Sequence, residues 1–197
     1  MTSSSFPDSS LKQSLRREAL RLRRAESDRL GPAAAQAVAA RADRLTVGEG
    51  SVVGGYWPLP GELDPRPLME ALAARGAALA LPVVVAPDAP LAFRGWSPGD
   101  RLESGPHGTA HPTPAAPLLV PTLLLVPLLA FDAKGFRLGF GGGYYDRTLA
   151  ALRRGGGVVA VGLAFAAQQS PALPSDPWDQ PLDMVFTEEG LLTVVRA

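Results

Sequence analysis

The segment PTLLLVPLLAF, Pro121 to Phe131, constrains the fold of this chain more than any other. It is apolar on every side, as a strand buried on both faces of a parallel sheet must be, whereas a strand with one wet face would alternate. Its prolines forbid a long helix, and Pro127 marks the strand's C-terminal end, where a missing ladder donor is tolerated. The run also falls short of the ~20 residues a spanning helix needs, so a soluble chain is expected.

Other segments supply the rest of such a sheet. SVVGGYWPL (51–59) is β-rich. In GELDPRPLMEALAARG (61–76), Asp64 can cap a helix that begins near Pro65 and stops at Gly76. AALALPVVV (77–85) follows, so strand, helix and strand alternate as in a βαβ unit. LAFRGW (91–96) reads as an edge strand, ESGPHGTAHPTPAAP (103–117) as a surface loop, GGGVVAVGLAF (155–165) as a glycine stop and buried strand, and DMVFTEEGLLTVV (183–195) as one final strand. Upstream, Leu11 to Arg29 and Ala33 to Leu45 have helical periodicity and are expected as two helices broken at LGP. The expected whole is a three-layer α/β domain, a mostly parallel sheet flanked by helices, over residues 11–197. Residues 1–10 lack the features of a secretory signal and are expected as a disordered leader.

FRLGFGGGYYDR (136–147) is where chemistry concentrates. Gly139, Gly141, Gly142 and Gly143 let backbone N–H groups converge into an anion nest. A helix starting near Tyr144 adds the positive end of its dipole, and the guanidinium forks of Arg137 and Arg147 suit phosphate oxygens. Asp146 repels phosphate unless a cation intervenes, so the loop points to Mg²⁺ as well as a nucleotide; a capping carboxylate on a tight turn is the plainer reading of the same residues. The loop is neither a Walker A sequence, which needs glycine-lysine-serine/threonine, nor a dinucleotide fingerprint, which would need glycine where Tyr144 stands.

Composition narrows the choices. The net charge of zero offers no global field for nucleic acid or an anionic membrane, and KQSLRREALRLRR (12–24) is the one basic run. The absence of cysteine removes disulfides, thiolate metal sites and a thiol nucleophile, and suits a cytoplasmic location. Small-molecule substrates and a monomer, with no nucleic-acid or membrane partner, are the expectation.

LLLVPLLAFDAKGFRLGFGGGYYDR (123–147) closely resembles the signature of the 5-formyltetrahydrofolate cyclo-ligase family, also called 5,10-methenyltetrahydrofolate synthetases. KQSLR, YWPLPGELD, LALPVV, LAFRGW, VGLAFAAQQ and LPSDPWDQPLD match in the family's order from Leu11 onward. The resemblance implies a fold related to sugar-phosphate isomerases and CoA transferases. It also implies an ATP- and Mg²⁺-dependent conversion of 5-formyltetrahydrofolate to 5,10-methenyltetrahydrofolate with release of ADP and phosphate.

By position, the resemblance assigns Lys12, Arg16, Arg137, Gly139, Phe140, Gly141, Gly142, Gly143, Tyr144, Tyr145 and Asp146 to ATP, with Arg137 and Tyr145 catalytic. It gives Asp146 and Asp179 to the metal, and Tyr56, Glu62 and Trp96 to the folate. Two positions depart from the family's pattern: His111 stands where many relatives have Glu, and Trp178 where many have His. Other readings are a non-catalytic folate- or nucleotide-binding relative, a sugar-phosphate isomerase, and a His107–His111 metal pair.

Overall fold

The computed structural model describes residues 8–194. Eleven strands and three α-helices appear in the order α1 (Asp8–Ala39), β1 (Val52–Gly54), α2 (Arg66–Ala73), β2 (Ala78–Val83), β3 (Ala92–Gly95), β4 (Leu102–Ser104), β5 (Ala110–Pro112), β6 (Leu123–Pro127), β7 (Ala130–Phe131), β8 (Arg137–Leu138), α3 (Tyr144–Arg154), β9 (Val159–Leu163), β10 (Met184–Thr187) and β11 (Gly190–Thr193). Seven strands form the main sheet in the order β11-β10-β9-β6-β1-β2-β3. Pairings among β10, β9, β6, β1 and β2 are parallel, and antiparallel β3 and β11 close the two edges.

The apolar segment is the middle strand, as its composition requires. Leu124, Leu125 and Val126 of β6 are fully buried, and each such side chain contributes roughly 1.5–3 kcal/mol. Leu123 and Leu125 point into a core shared with α1 and α2, while Leu124 and Val126 point into a core shared with Leu149 of α3. That alternation defines three layers: α1 and α2, the sheet, then α3.

From β1 the chain winds outward through β2, and from β6 it winds the other way through β9 and β10. The order therefore reverses between β1 and β6, leaving a crevice beyond their carboxyl ends where open α/β sheets take ligands. Gly55, just past β1, has no room for a side chain there: a Cβ would lie 2.2 Å from Met69 Sδ.

Three expectations change. The predicted helix break at LGP is absent, because α1 runs 32 residues with Pro32 inside it. Ala19 and Arg23 before the proline and Ala34 and Val38 after it share one buried face, and that packing outweighs a proline cost of about 3 kcal/mol. The final segment is a hairpin rather than one strand, folding at Glu188-Glu189 between β10 and β11. The loop of 103–117 carries a small ribbon of β4 and β5. Of the expected leader, residues 1–7 lie outside the described residues, and α1 begins at Asp8. No helix among the described residues is long and apolar enough to cross a membrane.

Candidate functional site

The crevice opens into a cleft of about 600 Å³. Its glycine-loop wall begins at the β7–β8 hairpin, whose turn is tied by the buried carboxylate of Asp132. Asp132 Oδ1 accepts the N–H groups of Lys134 and Phe136 at 3.0 Å each, and Oδ2 accepts that of Leu173 at 3.2 Å. One side chain thus fixes both the hairpin that launches the glycine loop and the start of the loop bearing Asp179. Gly143 precedes α3 with φ +65°, a left-handed conformation that suits glycine, and no side chain caps the helix. The first N–H groups of α3 are left facing the nest, with the helix dipole behind them.

Charged groups surround the nest in pairs. Arg16 donates from Nε to the Gly139 carbonyl at 3.0 Å, and Arg147 donates from Nη2 to that of Gly142 at 2.7 Å. Arg137 Nη2 donates to Asp146 Oδ1 at 2.7 Å, an oxygen that also accepts the Gln180 N–H at 2.9 Å. Lys12 Nζ lies 2.7 Å from Asp176 Oδ2 and 3.5 Å from Asp179 Oδ2. Asp179 in turn accepts the N–H of Asp176 at 2.8 Å, so the two carboxylates belong to one tight turn.

The opposite wall is built from YWPLPGELD. Tyr56 is buried and donates its hydroxyl to the Leu63 carbonyl at 2.6 Å; burial pushes its pKa well above the ordinary value. Glu62 accepts the Leu59 N–H through Oε2 at 2.9 Å and Arg23 Nη1 through Oε1 at 3.1 Å. Desolvation raises the Glu62 pKa, against the lowering effect of those two donors. Tyr145, half-buried on the first turn of α3, is also raised by desolvation, so it stays a protonated donor at neutral pH. Among the described residues its hydroxyl has no hydrogen-bond partner, and the residue borders the cleft. Exposed Phe140 and Trp178 stand at the rim.

The cleft brings together Lys12, Arg16, Tyr56, Glu62, Arg137, Gly139 to Gly143, Tyr144, Tyr145, Asp146 and Asp179. Trp96 is not brought to it: it is buried edge-on behind Trp57 at 6.2 Å between ring centroids, and Trp57 supplies the wall. Trp96 sits at the end of edge strand β3, and nothing in LAFRGW alone distinguishes a wall from its backing. Arg23, Asp132 and Asp176 were not singled out from sequence. The signal for Arg23 was an arginine in the stripe that buries Ala19, and for Asp176 a second Asp three residues before Asp179. His111 lies on β5 opposite Glu103, with Nδ1 3.0 Å from the Pro112 carbonyl, and the side chain of His107 lies outside the described residues.

Among the described residues no three carboxylate or imidazole groups converge closely enough to hold a cation by themselves. Asp146 and Asp179 nevertheless border the cleft beside the nest, the donor set of a Mg²⁺ that takes one or two carboxylates and completes its shell with phosphate oxygens and water. The residues fit a metal that arrives with a nucleotide.

Known proteins similar to this chain point to one family. A 5-formyltetrahydrofolate cyclo-ligase of Escherichia coli strain K12 is 38% identical over 140 residues, covering 68% of this chain and 76% of that one. One from Mycolicibacterium smegmatis is 30% identical over 193 residues, covering 94% and 97%. The structure of Aquifex aeolicus 5,10-methenyltetrahydrofolate synthetase superposes with a TM-score of 0.76 at 29% identity, covering 95% of this chain and 94% of that one. The profile of the 5-formyltetrahydrofolate cyclo-ligase family matches residues 8–188, and the chain belongs to that family.

Proposed function

We propose that the cleft converts 5-formyltetrahydrofolate to 5,10-methenyltetrahydrofolate, consuming ATP with Mg²⁺ and releasing ADP and phosphate. The observation that carries this reading is a single cleft with two unlike walls: a glycine nest ringed by cations and carboxylates, and an aromatic wall holding one buried carboxylate. The first suits a polyphosphate, and the second suits a flat heterocycle whose amino and N–H groups seek an acceptor. We read residues 11–197 as one domain, acting as a monomer in the cytoplasm.

The chemistry follows from leaving groups. The formyl oxygen attacks the γ-phosphorus and ADP departs; N10 of the folate then attacks the activated carbon, loses its proton, and the formyl oxygen leaves as phosphate. Phosphoryl transfer of this kind needs positioning and charge neutralisation more than a protein nucleophile. The N–H groups at the start of α3, with Arg16, Arg137 and Lys12, hold the phosphates, and the protonated hydroxyl of Tyr145 donates toward the transferring group. Glu62 orients the pterin, with Tyr56 and Trp57 as the apolar wall. Asp146 and Asp179 would hold Mg²⁺, which when bound neutralises charge on the phosphoryl oxygens.

The test is the near-ultraviolet absorbance of the methenyl product as purified protein meets 5-formyltetrahydrofolate. Growth that requires both ATP and Mg²⁺ supports the reading. Binding of ATP and folate without product would favour a non-catalytic relative, and sugar-phosphate conversion without ATP would favour an isomerase.

A further inference from the structure

Arg23 is the largest fully buried side chain among the described residues that carries a formal charge, at 2% exposure, and the proposed chemistry gives it no direct role. From one position on α1 it reaches both walls of the cleft and the end of the central strand behind them. Its Nη1 donates to Glu62 Oε1 at 3.1 Å, on the wall assigned to the folate. The same nitrogen lies 3.4 Å from the Leu128 carbonyl, just past the end of central strand β6. Its guanidinium carbon stands 5.3 Å from the ring centroid of Phe140, inside the glycine loop. Among the described residues its Nε is buried with no hydrogen-bond partner.

A buried cation with an idle donor is held largely by its two charge-sensitive contacts, the Glu62 carboxylate and the Phe140 ring face. Phe140 itself is more than half exposed and sits between two glycines, so its placement follows the loop rather than the core. An anion that orders the loop therefore sets the ring, the ring steadies the guanidinium, and the guanidinium sets the carboxylate.

We propose that Arg23 is a positioning residue that couples the two halves of the cleft, so that occupancy of the glycine loop tightens folate binding through Phe140, Arg23 and Glu62. The inference rests on the assignment of the two walls under Proposed function. Coupling is reciprocal, so folate must tighten nucleotide by the same factor.

The experiment measures the affinity of 5-formyltetrahydrofolate by calorimetry, alone and with a non-hydrolysable ATP analogue and Mg²⁺. The ratio of the two affinities is the readout. For the unaltered protein the expected ratio is roughly tenfold, between the scales of an exposed and a desolvated cation–π contact. Arg23→Lys keeps the charge but shortens the bridge, and Phe140→Leu keeps an apolar side chain at an exposed position without a ring face. Both should bring the ratio close to one, the double variant should do no more than either alone, and Phe140→Tyr should restore it.

A merely structural Arg23 would weaken folate equally with and without the analogue and leave the ratio intact. Phe140→Leu keeps the test readable should Arg23→Lys fail to fold. A ratio of one in the unaltered protein, or an undiminished ratio in Phe140→Leu, overturns the proposal while leaving folate binding in place. Absence of folate binding altogether overturns the reading of the site, and this proposal with it.

Discussion

The two walls of the cleft are made by opposite means. The glycine-loop wall uses backbone and exchangeable ion pairs: Lys12 with Asp176 and Asp179, and Arg137 with Asp146, in which each carboxylate keeps 22–30% of its side-chain surface. The wall of Tyr56 and Glu62 uses a buried ion pair, with the Glu62 and Arg23 side chains at 4% and 2% exposure. A solvent-touched pair can change partners at small cost, whereas a buried pair cannot lose a member cheaply. The first wall can exchange its partners at the surface, and the second holds its charges in a buried pair that responds only through its neighbours.

The hardest test of that contrast removes the buried cation. Arg23→Met should lower stability at neutral pH by about 3 kcal/mol in denaturant titration, because Glu62 is left buried and unpaired. A loss no larger than that of a surface pair would erase the distinction. Next in size, Asp146→Asn should cut Mg²⁺-dependent turnover by about 100-fold or more while the melting temperature barely moves. Full activity in the folded variant would remove Asp146 from the metal. Arg137→Ala should then weaken ATP by about tenfold relative to folate in steady-state kinetics, and equal weakening of both would make it a brace for the loop.

Smaller effects separate the walls by pH and by surface charge. Because burial raises the folded Glu62 pKa above its unfolded value, the native state holds that proton more tightly. The stability Glu62 contributes is therefore full below about pH 4.5 and is lost as pH rises through its folded pKa. Glu62→Gln should flatten that part of the stability profile, and an unchanged slope would assign it to another group. Asp176→Asn should cost less than about 1 kcal/mol, since its pair with Lys12 is partly solvated; a larger loss would mean that pair is as structural as Arg23–Glu62.

Much of this was legible in sequence where local chemistry and tertiary demand coincide. Segment 121–131 is apolar on all sides because β6 is buried on both faces, and the run of glycines before Tyr144 marks a helix start because Gly143 needs a left-handed φ. The misreadings arise where tertiary packing decides. LGP reads as a break until the shared buried face of Ala19, Arg23, Ala34 and Val38 is visible. Glu188-Glu189 reads as the middle of a strand until its two flanks pair with each other. Asp132 has no motif: its worth lies in three backbone N–H groups from two segments about 40 residues apart. Trp96 and Trp57 are equally aromatic in sequence, and only depth separates wall from backing.

The reach of α1 across the cleft has a consequence for the birth of the molecule. Lys12 meets a partner 164 residues later in the chain, Arg16 one 123 later and Arg23 one 105 later. On a ribosome adding roughly 5–20 residues per second, the helix emerges first and waits on the order of ten to thirty seconds for Asp176. A half-made chain thus carries a bare basic helix and no finished cleft. The nest forms at Tyr144, yet the ring of charge around it closes only when Asp176 and Asp179 have been added, more than thirty residues later.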